Sequence, residues 1–220
     1  MEQIILFDVD GVLLDSLPLW NGLIDRYLAG RWEITAPPGL DEACQSLSLM
    51  EAAACLKEHF PQITFSVQEL ADDAAAWMRD AYVRVPARPG MQETIKTLYT
   101  KGYPLYLATA SEEQNVEGAL RHLGVWHCFQ GMFTCTEIGF SKSYVEYYEI
   151  IATRLQTVCE KLVLVEDSLY SIKTAKKAGL IVAGVYEPES AKDEGQIRQI
   201  CDVYVDSLPG LLPWFAAIQQ

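Results

Sequence analysis

Two aspartates one residue apart, Asp8 and Asp10, directly follow the apolar run Ile4-Ile5-Leu6-Phe7. Far along the chain the pair Glu166-Asp167 follows a second apolar run, Leu162 to Val165. Carboxylates hold hard divalent cations through oxygen, and an ionised carboxylate can also attack phosphorus or carry a proton. An acid two residues beyond a nucleophile is placed to protonate a leaving alcohol and then to deprotonate water. Thr109 ends a third apolar run, Leu105 to Thr109, and Ala110-Ser111 open the helix that follows. A hydroxyl and the first amides of a helix suit phosphate oxygens. Lys142 adds a compact positive charge for a phosphate and for the nucleophile. Several carboxylates at adjacent strand ends repel one another unless a hard cation sits among them. With no histidine or cysteine in the set, Mg²⁺ is favoured over zinc. Magnesium takes a carboxylate or two, keeps some water and accepts substrate phosphate as ligand.

These residues need a scaffold that brings strand ends together. Gln3 to Phe7, Leu105 to Thr109, Leu162 to Val165 and Leu180 to Val185 read as continuous apolar strands, as in a parallel sheet covered on both faces. Val203 to Val205 and Met132 to Cys135 are shorter candidates. Between them lie helical segments: Gln92 to Thr100, Glu112 to Leu123 with Ser111 as N-cap, Tyr144 to Leu155, and Leu169 to Ala178 with Ser168 as N-cap. Gly124 and Gly179 end the second and fourth of these. Strand alternating with helix predicts an α/β fold, a Rossmann-like three-layer parallel-sheet core whose ligands sit at the carboxyl ends of the strands. Ser16 to Val85 breaks that rhythm, with helical stretches at Leu17 to Leu28, Leu40 to Phe60 and Val67 to Val83. The expected organisation is a catalytic core of residues 1–15 and 86–220 with an inserted α-helical cap of residues 16–85.

Composition narrows the function class. The 220 residues carry a formal net charge of −13, which argues against nucleic acid and anionic membrane as partners. No stretch approaches the ~20 apolar residues of a membrane span. The first apolar run has neither a basic leader nor a small-residue cleavage site, so the expectation is a cytoplasmic protein. Six scattered cysteines without a Cys-x-x-Cys pair read as free thiols. A zinc site at His127-Cys128 with Cys135 would fit no familiar spacing. A monomer is expected, since no heptad pattern or swapping arm is visible.

The motifs resemble those of the haloacid dehalogenase superfamily of phosphohydrolases. The first matches as Asp8-Val9-Asp10-Gly11-Val12-Leu13-Leu14-Asp15-Ser16, the second as Leu107-Ala108-Thr109-Ala110-Ser111, the third as Ser141-Lys142 and the fourth as Val165-Glu166-Asp167-Ser168. They stand in the family's order and the resemblance covers the whole chain. It implies that Asp8 is nucleophile and magnesium ligand. It makes Asp10 the general acid/base, with its carbonyl on the metal. Thr109, Ala110 and Lys142 would hold the phosphoryl group. Asp167 would ligate the metal, with Glu166 a further ligand or an outer-shell partner. An aspartate at position 10 also separates this chain from true dehalogenases. Two departures stand out: Ser143 replaces the proline usual after the motif-three lysine, and Ser171 replaces a usual glycine, a change expected to affect helix packing more than chemistry.

The resemblance also implies that the cap supplies substrate contacts by closing over the site. Asp15-Ser16-Leu17-Pro18-Leu19-Trp20 is similar to the same region of bacterial sugar-phosphate phosphatases, with Trp20 as a substrate-contact candidate. Relatives of the β-phosphoglucomutase type carry a histidine where this chain has Trp20. The expected function is therefore a Mg²⁺-dependent phosphatase for a small phosphorylated metabolite, a sugar or polyol phosphate. A sugar phosphomutase and a catalytically silent phosphate-binding regulator are the alternatives. Asp15 is expected to hold the cap's first helix, Arg88 to be a surface residue of the hinge, and Tyr144, Tyr147 and Tyr148 to pack their helix.

Overall fold

The computed structural model describes residues 3–44 and 49–218, with the side chains of Trp20 and Glu42 also outside the described set. Its contacts divide the chain into two compact units, Met1–Asp15 with Val85–Gln220, and Ser16–Arg84. The first is an α/β unit. The elements run β1 (Ile4–Phe7), then, in the second unit, α1 (Leu17–Trp20), α2 (Leu23–Trp32), α3 (Leu40–Cys44), α4 (Leu49–His59) and α5 (Val67–Val83). The α/β unit resumes with α6 (Met91–Thr100), β2 (Leu105–Thr109), α7 (Glu113–His122), β3 (Gly131–Thr134), α8 (Cys135–Ile138), α9 (Val145–Arg154) and β4 (Leu162–Glu166). It closes with α10 (Leu169–Lys177), β5 (Ile181–Val185), α11 (Glu194–Ile200), β6 (Val203–Val205) and α12 (Leu211–Ile218).

The six strands form one sheet in the order β3-β2-β1-β4-β5-β6, and every pairing is parallel. This is the doubly wound Rossmann order, in which the direction of winding reverses beside the first strand. The apolar runs are continuous because both faces of the central strands are covered. Leu6, Leu164 and Val182 pack with Tyr147, Tyr148 and Ile151 of α9 and Ile172 and Ala175 of α10. Their strand neighbours Ile5, Phe7, Val163 and Val165, on the opposite face by the two-residue alternation of a strand, are equally inaccessible. Burying a side chain of this size stabilises by roughly 1.5–3 kcal/mol each, so the centre of the sheet is the rigid part of the unit.

The register of β1 against β4 brings the acidic residues together. Phe7 pairs with Val165, and the Asp8 amide donates to the Val165 carbonyl at 3.0 Å, so the residues that follow β1 and end β4 are neighbours. Beyond Asp8 the chain folds on itself, with Leu13 and Leu14 amides donating to the Val9 carbonyl, and Gly11 adopting a φ of 83°. The segments leaving and re-entering the unit then pair. Asp15 donates its amide to the Pro86 carbonyl and Arg88 its amide to the Leu13 carbonyl, each at 2.9 Å.

The second unit has its own core, in which Leu28, Leu56, Ile63, Leu70 and Tyr27 are buried together. The helix expected from Leu17 to Leu28 is broken at Asn21-Gly22, where Gly22 takes a left-handed φ of 73°. The buried Asp41 carboxylate receives the amides of Gly22 and Ile24, both at 2.9 Å, and so caps the start of α2 from a distance in sequence that local pattern does not reveal. The helix expected from Leu40 to Phe60 is present as α3 and α4, and its residues 45–48 lie outside the described residues. Ser66 caps α5 through a reciprocal capping box with Glu69. Among the described residues no helix is long and apolar enough to cross a membrane.

Gly90 opens α6 with a φ of 75°, and a Cβ there would lie 2.3 Å from Pro209. Gly90→Ala combines a left-handed strain with a steric conflict against a ring. It is expected to lower the unfolding free energy of the α/β unit by about 1–3 kcal/mol. Chemical denaturation checks this, and an unchanged midpoint would show that the turn does not need glycine.

Candidate active site

The strand ends gather the predicted residues at one edge of the sheet. Asp8, Glu166 and Asp167 are buried, and each offers a carboxylate oxygen within 4.8 Å of the others. Lys142, in the turn that precedes α9, inserts its ammonium among them. Its Nζ lies 2.7 Å from Asp8 Oδ1 and 2.7 Å from Glu166 Oε2, with 3% of its side chain exposed. Burial alone would discharge this lysine, but the two carboxylates hold its pKa well above the ordinary value. Three buried carboxylates against one ammonium leave an excess of negative charge in a low-dielectric place. That donor set, all oxygen and hard, fits a divalent cation of the magnesium type.

Glu166 is the most fully hydrogen-bonded of the three. Its Oε1 accepts from the Asp167 amide (3.0 Å), the Ser168 amide (3.1 Å) and the Ser168 hydroxyl (2.9 Å). Its Oε2 accepts from Lys142 Nζ (2.7 Å) and the Ser171 hydroxyl (2.6 Å). Burial pushes its pKa up, but Lys142 and these donors overcome that and hold it at about 2. The Tyr148 hydroxyl lies 2.7 Å from Ser171 Oγ, so a buried polar chain runs Tyr148–Ser171–Glu166–Lys142–Asp8. The departure at Ser171 therefore reaches the site, and Tyr148 does more than pack its helix.

Asp10 stands two residues beyond Asp8 and receives the Ser111 hydroxyl on Oδ2 at 2.5 Å. Ser111 was expected to cap the next helix; instead α7 begins one residue later, after Glu112, without a side-chain cap. Ser168 stands at the N-cap of α10 as expected, but its hydroxyl goes to Glu166 and not to the first turn of the helix. In both places a nearby carboxylate outcompetes the helix amides. Thr109, fully buried, accepts the Ser111 amide on Oγ1 at 3.0 Å, which leaves its hydroxyl proton available to donate. Ala110 is exposed at the same strand end. The side chain of Trp20 lies outside the described residues, so its contact is not placed.

Three residues at this edge carry no motif. Ser190 donates its hydroxyl to Asp167 Oδ2 at 2.8 Å. Glu187, 2% exposed, accepts the Ser190 amide at 3.2 Å. Arg88, expected at the hinge surface, lies against Glu187 and Asp15 and is half-buried, with 13% of its side chain exposed. The signal available for Glu187 was its position just beyond the end of β5, in the same sheet whose other strand ends carry acids. His127 and Cys128 contact each other at 3.6 Å, but among the described residues the only cluster of metal-ligating side chains is Asp8, Glu166 and Asp167.

The crowding has a consequence for pH. Burial, then Glu166, raises the pKa of Asp8 well above 3.8 and lifts Asp167 to about 8. Both groups hold protons more tightly folded than unfolded. The contribution of Asp167 to stability is complete below the unfolded value of 3.8 and is lost as the pH rises through about 8, and that of Asp8 has the same sign. Glu166, at about 2, titrates below that window. The metal-free protein should therefore lose stability between these limits, and a divalent cation that replaces the protons should restore it increasingly across the same range. Thermal unfolding with and without magnesium over that range checks this. A magnesium-induced shift that does not grow with pH would contradict the electrostatic account.

A family model described as haloacid dehalogenase-like hydrolase matches residues 5–185. Among known proteins, the chain is 27% identical over 181 residues to the phosphorylated carbohydrates phosphatase of Thermotoga maritima, covering 82% of each. It is 25% identical over 203 residues to the validoxylamine A 7'-phosphate phosphatase of Streptomyces hygroscopicus subsp. limoneus, covering 87% of this chain and 89% of that one. Among solved structures, a β-phosphoglucomutase from Clostridium difficile matches with a TM-score of 0.66 at 22% identity, over 100% of this chain and 96% of the other, a likeness of fold. The family match spans most of the chain and contains every strand that carries a site residue, and so the chain belongs to the haloacid dehalogenase-like hydrolases.

Proposed function

We propose that the protein is a Mg²⁺-dependent phosphatase that hydrolyses a small phosphomonoester, a sugar or polyol phosphate, through an aspartyl phosphate on Asp8. The observation that carries the reading is the position of Asp8. Its carboxylate lies against Lys142 in a buried acidic cluster, two residues from an acid whose orientation Ser111 fixes. The relatives named phosphatases for phosphorylated carbohydrates and validoxylamine A 7'-phosphate support the reaction class and the kind of substrate.

In the first half-reaction one oxygen of Asp8 attacks phosphorus. The phosphorus–oxygen bond to the alcohol breaks, and Asp10, protonated, gives its proton to the departing oxygen. In the second, water attacks the aspartyl phosphate, Asp10 takes its proton, and inorganic phosphate leaves with Asp8 restored. Thr109, the backbone at Ala110 and Lys142 hold the transferring group, whose negative charge suits donors already fixed before substrate arrives. Asp8, Asp167 and the Asp10 carbonyl would hold the cation, with Glu166 a nearby partner whose donors already fill its oxygens. The cation, when bound, neutralises charge on the phosphoryl oxygens. The helical unit acts as a cap that selects the alcohol, with Trp20 among its contacts. We place the protein in the cytoplasm as a monomer, acting on a free metabolite.

Purified protein should release phosphate from p-nitrophenyl phosphate or a sugar phosphate only with magnesium present. Asp8→Asn should reduce turnover to background, and Asp10→Asn should lower kcat by about 10²–10⁴-fold. Activity of Asp8→Asn equal to the parent would sink the covalent mechanism. Conversion of a sugar 1-phosphate to its 6-phosphate isomer without phosphate release would replace the phosphatase by a mutase.

A further inference from the structure

Arg88 and Glu187 take no part in the phosphoryl transfer, yet Glu187 is buried and Arg88 half-buried behind the turn that contacts Asp167. Glu187 is 2% exposed, and a carboxylate there is costly unless it is well paired. Its Oε2 accepts the amides of Glu189 and Ser190 and so closes the turn Pro188–Asp193. Its Oε1 lies 3.8 Å from Arg88 Nη1. Arg88 Nη2 donates to the Tyr186 carbonyl at 2.7 Å, and its Nη1 lies 3.6 Å from Asp15 Oδ1. The turn held in this way presents Ser190, whose hydroxyl donates to Asp167 Oδ2 at 2.8 Å.

We infer that Arg88, Glu187 and Ser190 are positioning residues that fix the carboxylate of Asp167 for the divalent cation, an inference that rests on Asp167 being a ligand. Asp167 faces Glu166 and Asp8 at short range, and like charges drive it to rotate away. A hydroxyl on Oδ2 holds the carboxylate without cancelling its charge. Gly11 leaves room for the carboxylate in this position, since a Cβ there would lie 3.0 Å from Asp167 Oδ1. Ser190 can do this only while its turn is fixed, and Glu187 fixes the turn through two amides. Arg88 in turn bridges the Glu187 carboxylate and the Tyr186 carbonyl and so braces the start of the turn. The anchor is also tied to the points where the chain crosses between units. Asp15 is the last residue of the α/β unit before the helical unit, and Arg88 follows soon after the return at Val85.

The test is calorimetric titration of Mn²⁺ into the full chain without substrate, for the parent, Ser190→Ala, Ser190→Thr and Glu187→Gln. Ser190→Ala and Glu187→Gln should bind about 10-fold more weakly or worse, as loss of a partner behind a metal ligand typically does. Ser190→Thr keeps the hydroxyl and should restore the parent's affinity. The magnesium concentration for half-maximal phosphatase activity should rise by a similar factor in the first two. Ser190 is partly exposed, so its truncation keeps the test informative even if Glu187→Gln fails to fold. Tight parental binding with an equal affinity in Ser190→Ala overturns the inference alone. Absence of Mn²⁺ binding in the parent overturns the reading on which it rests.

Discussion

One ammonium group sets the terms for the rest of the site. Lys142 Nζ stands 2.7 Å from both Asp8 and Glu166, with essentially no access to solvent. Taking any of these charges out of water is costly, and the cost is offset only by close pairing and by further hydrogen bonds. Removing the lysine would leave three carboxylates facing one another in a low-dielectric interior. The nucleophile candidate, the acidic pair at the end of β4 and the turn before α9 are therefore held together by one side chain.

The sheet makes that crowding unavoidable. With Phe7 opposite Val165, the next residues on neighbouring strands are Asp8 and Glu166. Parallel strands lie about 4.8 Å apart, so the register by itself brings the two acids close. A shift of one residue would turn their side chains to the opposite face and empty the site. Because Ile5, Leu6, Phe7 and Val163 to Val165 are fully buried, the register is fixed by the core. Packing energy spent in the middle of the sheet is thus what keeps like charges together at its edge.

Much of this was legible in the residues, and the reason lies in where the information sits. Continuous apolar runs that stop at an acid locate the strands and their functional ends, so Asp8, Thr109, Glu166 and Asp167 stand at the ends of strands as read. The serines were less legible. Ser111 and Ser168 each stand before a helix, where the local pattern predicts a cap. Their hydroxyls instead reach Asp10 and Glu166, because a charged acceptor brought in by the tertiary fold binds a hydroxyl more strongly than a helix amide does. Ser171 looked like a packing change and proved to be a donor to Glu166. Glu187 and Ser190 belong to a loop with no motif, and only the topology shows that β5 ends beside β4. The break of the first inserted helix at Gly22 depends on Asp41, nineteen residues away, which no local window contains.

The choice of serine as the supporting group follows from the charge balance. Ser111, Ser168, Ser171 and Ser190 donate to Asp10, Glu166, Glu166 again and Asp167. A second lysine or an arginine in any of these places would orient a carboxylate just as firmly. It would also cancel the negative charge that attracts a divalent cation, and its long side chain would surrender more rotamer freedom. A hydroxyl orients without neutralising. With all three carboxylates ionised against one lysine, the state a divalent ion would require, the buried cluster carries a formal charge of about −2, the complement of that ion. Geometry is thus supplied by neutral donors and affinity by the uncancelled charge, and within the cluster of Asp8, Glu166 and Asp167 it is Lys142 that combines the two.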